Sequence, residues 1–229
     1  MAELSKLNVG EVAQGLPMPF SMANLARVGD VLVSVYLCEG MLGWHKHLDH
    51  DELFWAYEGS ILLESERGKV ALRPGELAVV RKGIRHRSGS VQRAVVLLLR
   101  CGFVPHRKNG KRRLYATDND TAPKRVDLDA AVAECSVPFS FLTAALVEDM
   151  AVQVACGEGT WPVEVPAPAD LGILLLRGNA TVRTGESMVH LHQGDLTAVP
   201  VGEVYHLSTT RGTSLVRITR AAKQTPRAP

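Results

Sequence analysis

Long hydrophobic runs, paired cysteines and a charge of one sign are all missing from this sequence of 229 residues. The longest apolar run, Ala94 to Leu99, is bounded by Arg93 and Arg100. It falls far short of the roughly 20 residues that a bilayer-spanning helix needs, so no membrane partner is expected. The N-terminal stretch MAELSKLNVGEVAQG has acidic residues and no apolar segment, so a signal peptide is not expected either. Cys38, Cys101, Cys135 and Cys156 form no C-x-x-C pair and no dense framework, which excludes a disulfide scaffold and makes a reducing cytoplasm the expected location. With 26 basic and 24 acidic residues the net charge is +2, which points to no partner. There is no G-x-S-x-G, no P-loop and no G-x-G-x-x-G ahead of a helix, so serine-hydrolase and nucleotide-binding chemistry lack their usual marks.

What the sequence does hold is a repeat. Gly59, Gly75 and Gly83 return as Gly178, Gly194 and Gly202 at a constant offset, 178 − 59 = 194 − 75 = 202 − 83 = 119. The segment ALRPGELAVVRKG faces HLHQGDLTAVPVG, and CEGMLGW ending at Trp44 is matched by CGEGTW ending at Trp161, at an offset of 117. A tandem duplication explains all of these. Each copy is built of short β-branched and apolar runs, among them 31–37, 60–64, 69–72, 77–80 and 94–99. Gly, Pro and charged pairs interrupt them every 8–12 residues or so, which predicts an all-β sandwich or barrel. Only 128–134 and 139–147 have a helical look. The expected organisation is an N-terminal barrel over 1–104, a partly helical connector over 105–140, a second barrel over 141–221 and a tail over 222–229. With 46% hydrophobic residues there is ample material for these cores.

The first copy carries His45-Lys46-His47-Leu48-Asp49-His50-Asp51-Glu52 and, after the Gly83 turn, His86. Residues two apart on a strand share a face, so His45 and His47 can approach one ion from a single element. Glu52 can return from the next strand and His86 from another. Three imidazoles and a carboxylate suit one divalent transition ion: Fe, Mn, Ni, Co, Zn or Cu. Asp51 is a rival for the carboxylate, and His50 reads as a solvent-facing neighbour or a supporting group. The His-x-His, Glu and Gly spacing over 45–59, followed by Gly75, Gly83 and His86, resembles the cupin superfamily. Arg81 stands where that pattern usually has Pro, and Gly40 is one residue nearer the histidines than is typical. The resemblance implies tandem double-stranded β-helix barrels of jelly-roll type, a bicupin. Its metal would be held by His45, His47, Glu52 and His86.

The second copy lacks this set. His45 and His47 map to Pro162 and Glu164, while Glu52 and His86 map to Leu171 and Tyr205. His206 is one residue late, which on a strand turns a side chain to the opposite face. His190 and His192 fall outside the motif and read as a solvent-facing pair. Between Arg81 and Arg125 stand thirteen Lys and Arg against Asp118 and Asp120. This reads as a solvated edge whose charges meet acidic groups elsewhere, and not as a nucleic-acid surface. Arg81, Arg85 and Arg87 flank His86 and suit an anionic small molecule. Trp55 and Tyr57 read as sheet packing. Three functions fit the resemblance: a metal-dependent dioxygenase acting on a small organic molecule, a non-oxidative isomerase, lyase or hydrolase, and a ligand-binding or regulatory protein. A homodimer is compatible with the exposed strand edges of such barrels.

Overall fold

The computed structural model describes residues 3–102, 104–106, 110–161 and 166–221. The chain is all-β, in two successive series. The first runs β1 (Lys6–Asn8), α1 (Val9–Gln14), β2 (Met22–Val28), β3 (Val31–Met41), β4 (Glu52–Glu58), β5 (Ile61–Ser65), β6 (Gly68–Leu72), β7 (Glu76–Val80) and β8 (His86–Cys101). The second runs β9 (Val126–Asp127), α2 (Leu128–Ala133), β10 (Leu142–Val147), β11 (Met150–Cys156), β12 (Gly159–Thr160), β13 (Leu171–Arg177), β14 (Ala180–Thr184), β15 (Met188–Leu191), β16 (Asp195–Val199), β17 (Tyr205–Thr209) and β18 (Ser214–Arg220). No helix among the described residues is long and apolar enough to cross a membrane.

The duplication holds at the level of register. Glu52 pairs with Val80 in the first barrel, and Leu171 pairs with Val199 in the second, each 119 residues on. The anchor glycines close matching turns. Gly59 and Gly178 both have positive φ, and a Cβ there would meet Ala94 at 2.9 Å and Thr213 at 2.5 Å. The repeat also reaches further upstream than its glycines suggest. Asn8 caps α1 and Asp127, 119 residues later, caps α2, each side chain accepting from helix N–H groups. The short strands ahead of these helices are exchanged: β1 pairs with β16 of the second barrel, and β9 pairs with β7 of the first. Residues 126–133, expected within the connector, thus repeat residues 7–14. The helical expectation for 139–147 fails. Phe139 takes a positive φ, and 142–147 pairs antiparallel with β11 across a bulge. Pairing along a ready strand edge overrides the local pattern there.

Three apolar clusters follow from strand alternation. Along β8, Ala94, Val96 and Leu98 point into the first barrel, and Val95, Leu97, Leu99 and Cys101 point away from it. The outward set meets Met150, Val152, Val154, Val216 and Ile218 of the second barrel, so the sheets pack face to face. Burial on both faces is why 94–99 reads as an unbroken apolar run. Trp55 lies in this shared core with Tyr57 against it, as the sequence suggests.

Candidate metal centre

Three segments bring the four candidate ligands together: the stretch with His45 and His47, the start of β4 and the start of β8. His45 and His86 face each other in a short antiparallel bridge, His45 N–H donating to the His86 carbonyl at 3.0 Å and His86 N–H to the His45 carbonyl at 2.8 Å. His47 is tied into the same arrangement because Gly83 N–H donates to its carbonyl at 2.6 Å. Glu52 opens β4 and enters the barrel from the neighbouring strand. One potential ligand atom from each of His45, His47, Glu52 and His86 lies within 4.8 Å of all the others. Glu52 and His86 are almost fully buried, their side chains 4% and 2% exposed, while His47 is 28% exposed. The cluster therefore has a buried side and an open side.

The imidazoles are oriented from behind. His86 Nδ1–H donates to the Ile84 carbonyl and His45 Nδ1–H to the Gly43 carbonyl, both at 2.9 Å. A carbonyl only accepts, so in each neutral ring the lone pair resides on Nε2, the atom left for a ligand role. His86 Nε2 lies 3.0 Å from Glu52 Oε2, and His47 Nε2 lies 3.2 Å from the same oxygen. A lone pair aimed at a carboxylate oxygen calls for positive charge between them, and a divalent cation meets that need. Burial by itself raises the Glu52 pKa, but without a metal, protonated imidazoles donating from His47, His50 and His86 outweigh it and hold the carboxyl well below the usual carboxylate range; with neutral rings a divalent cation supplies that positive charge instead. Burial lowers the pKa of His45, favouring the neutral ring that a metal requires. The residues present fit the group.

Other residues named from the sequence fall outside this set. Asp51 is turned away, accepting from Arg81 Nη1 at 2.5 Å and from Lys82 N–H at 2.9 Å. His50 stacks on His47 with ring centroids 4.5 Å apart and binds Asp49 at 2.9 Å; it borders the centre, with Nε2 3.9 Å from Glu52 Oε1. The three arginines do not line the site. Arg81 is held by Asp51 and Arg87 by Glu64, while Arg87 and Arg85 lie 4.8 and 5.8 Å from the Trp44 ring. Alternation explains Arg85 and Arg87, which flank His86 and face away from it, while the Asp51 carboxylate draws Arg81 aside. Of the basic stretch, Arg81, Lys82, Arg87, Arg113 and Arg125 each pair with a carboxylate.

In the second barrel Leu171 and Tyr205 are buried in the apolar interior. Pro162 and Glu164 lie outside the described residues. His190 and His192 sit on the exposed side of the hairpin, bound to Thr181 and Asn179 at 3.0 and 2.8 Å. No residue pattern announces the backbone carbonyls of Gly43 and Ile84, and Phe54, expected to pack in the sheet with Trp55 and Tyr57, instead sets its ring edge-on to His86 at 5.8 Å.

This architecture has known counterparts. A cupin 2 conserved barrel domain protein from Leptotrichia buccalis superposes with a TM-score of 0.72 at 7% identity, over 96% of this chain and 98% of that one. The fold is that of the cupin superfamily. Salicylate 1,2-dioxygenase from Pseudaminobacter salicylatoxidans, solved also with gentisate, has the same two-barrel cupin fold. It matches with a TM-score of 0.72 at 11% identity over 96% of this chain and 84% of that one. In sequence, this chain is 29% identical over 96 residues to the uncharacterized protein YdbB of Bacillus subtilis, spanning 41% of this chain and 85% of that protein. No family model matches the sequence.

Proposed function

We propose that this cupin is a metal-dependent enzyme of dioxygenase type acting on a small organic molecule, with one divalent ion held by His45, His47, Glu52 and His86. The observation that carries this reading is the donor set itself: four ligand atoms within 4.8 Å of one another. Such an ion supplies Lewis acidity and, if it is iron, redox chemistry with dioxygen. The chain's own residues perform the rest. Gly43 and Ile84 carbonyls hold two rings at fixed angles, Glu52 supplies negative charge, and the apolar wall of Tyr36, Phe54 and Leu98 excludes water on the buried side. The exposed flank at His47 is the side from which a substrate enters. A salicylate dioxygenase shares this two-barrel fold, so the fold accommodates oxidative chemistry, and the choice against a non-oxidative reaction rests on the experiment.

The test has two steps. Metal analysis of the purified protein should give one equivalent per chain, falling close to zero in His47→Ala. Oxygen uptake should then appear in the Fe(II)-loaded protein when small organic acids are screened. A loaded protein that turns over a substrate under strict anaerobiosis would replace the dioxygenase reading with a non-oxidative one.

A further inference from the structure

The turn at residues 81–84 serves three of the four proposed ligands at once. Lys82 N–H and Arg81 hold Asp51, the residue before Glu52. Gly83 N–H holds the His47 carbonyl, and the Ile84 carbonyl holds His86 Nδ1. A residue of the other barrel reaches this turn. Glu148, in the β10–β11 turn, places its carboxylate 3.4 Å from Lys82 Nζ, with side chains 0% and 10% exposed. It faces the Asp51 carboxylate as well.

Pseudo-symmetry shows how unusual Glu148 is. Its counterpart 119 residues earlier is Gly29, which closes the β2–β3 turn with φ of 62°, while Glu148 adopts φ of 56° without being glycine. A non-glycine residue in the left-handed region is strained, and such strain concentrates at functional sites. The rest of the arrangement is duplicated. Asp170, the counterpart of Asp51, accepts from Val201 N–H at 2.7 Å, as Asp51 does from Lys82 N–H. Gly29 N–H donates to Asp170 at 2.9 Å. Each barrel thus sends a β-turn to the other's 81–84 or 200–203 turn. Only beside the ligand-bearing barrel do Glu and Lys replace Gly29 and Val201. A carboxylate and an ammonium have been placed, against backbone preference and desolvation, where the other copy manages with a backbone contact.

We propose that Glu148 is a positioning residue of the first barrel's metal centre: through Lys82 it fixes the 81–84 turn and so the spacing of His47, Glu52 and His86. The second barrel, without ligands of its own, is then part of the first barrel's site. This inference rests on the metal reading above.

The experiment is Co(II) binding by the full chain, read by chelator competition and by the visible spectrum. Glu148→Gly installs the residue that the other repeat carries and relieves the backbone while removing one partner of a buried ion pair, so the metal-free variant should stay folded, and its melting temperature is measured alongside so that affinity is compared on the folded protein. Its Co(II) affinity should nevertheless fall about ten-fold, with a shifted visible spectrum, as expected for loss of a group that orients ligands. Glu148→Gln, which keeps the shape and drops the charge, should give a smaller change in the same direction. If both variants bind Co(II) with wild-type affinity and spectrum, Glu148 has no such role and the metal reading stands. If the wild-type chain itself takes up no Co(II), the metal reading falls and this inference falls with it.

Discussion

At the position where the first barrel has His86, the second has Tyr205, and an arginine lies against it. Arg217 corresponds to Leu98, pairs across the sheet with Ile173, and points into the barrel. Its guanidinium donates to Gln153 Oε1 at 3.0 and 2.7 Å and lies 3.5 Å from the Phe141 ring centroid. The second barrel therefore differs by more than Leu171 and Tyr205 standing in for Glu52 and His86. It has installed a fixed cation, permanently charged at any ordinary pH, in the region where a metal would sit. Restoring ligands alone should fail for that reason. The double variant Leu171→Glu, Tyr205→His should still contain one metal equivalent per chain, because a divalent ion would enter beside a guanidinium in a poorly solvated interior. Two equivalents by elemental analysis would show that Arg217 is no barrier.

Among the elements, the exchanged strand β1 is held to its host by a short polar cluster. Lys6 Nζ lies 2.6 Å from Asp195 Oδ2, Asn8 Nδ2 donates to Asp195 Oδ1 at 2.9 Å, and His192 N–H donates to the same carboxylate at 2.9 Å. Burial raises the Asp195 pKa, but these bonds outweigh it and hold it below the usual carboxylate value. A carboxyl depressed on folding contributes stability that is complete above its unfolded pKa of about 3.9 and is lost as pH falls through the lower folded value. Asp195→Asn should therefore be less stable than wild type near neutrality, and the gap should close below about pH 4. Urea titrations from pH 7 to pH 3 decide this, and parallel curves for the two proteins would refute it. None of this pairing was legible in the sequence, because β1 is three residues long and its partner lies 189 residues away. The longer strands were legible, since their apolar runs are framed by glycines that the turns require. The four clustered residues were legible too, because their spacing is a property of one loop and one turn. Phe139 to Val147 misled, since its apolar residues suit a helix face as well as a strand buried on one side. The carbonyls that aim His45 and His86 left no mark, because any residue type offers a carbonyl.

For the molecule as a whole, the apolar cluster between the barrels is larger than either interior. Among the described residues it contains 24 buried side chains, against 13 inside each barrel. At roughly 1.5–3 kcal/mol for each fully buried Val, Leu, Ile or Met side chain, this contact is a major part of what holds the chain folded. It also explains why the second barrel is retained: the first barrel cannot cover Val33, Val35, Leu97 and Leu99 by itself. The strand exchange adds to the dependence. A fragment of residues 1–104 would keep β1 without its partner β16 and leave the β7 edge without β9. A bare apolar face and two unpaired edges favour self-association. Light scattering of fragment 1–104 after size-exclusion chromatography should show dimers or larger species at micromolar concentration, while the full chain should withstand dilution without exposing that face. A monodisperse, folded monomer of 1–104 would mean that the first barrel covers its own outer face, and the two barrels would then be separable units joined only by their connector.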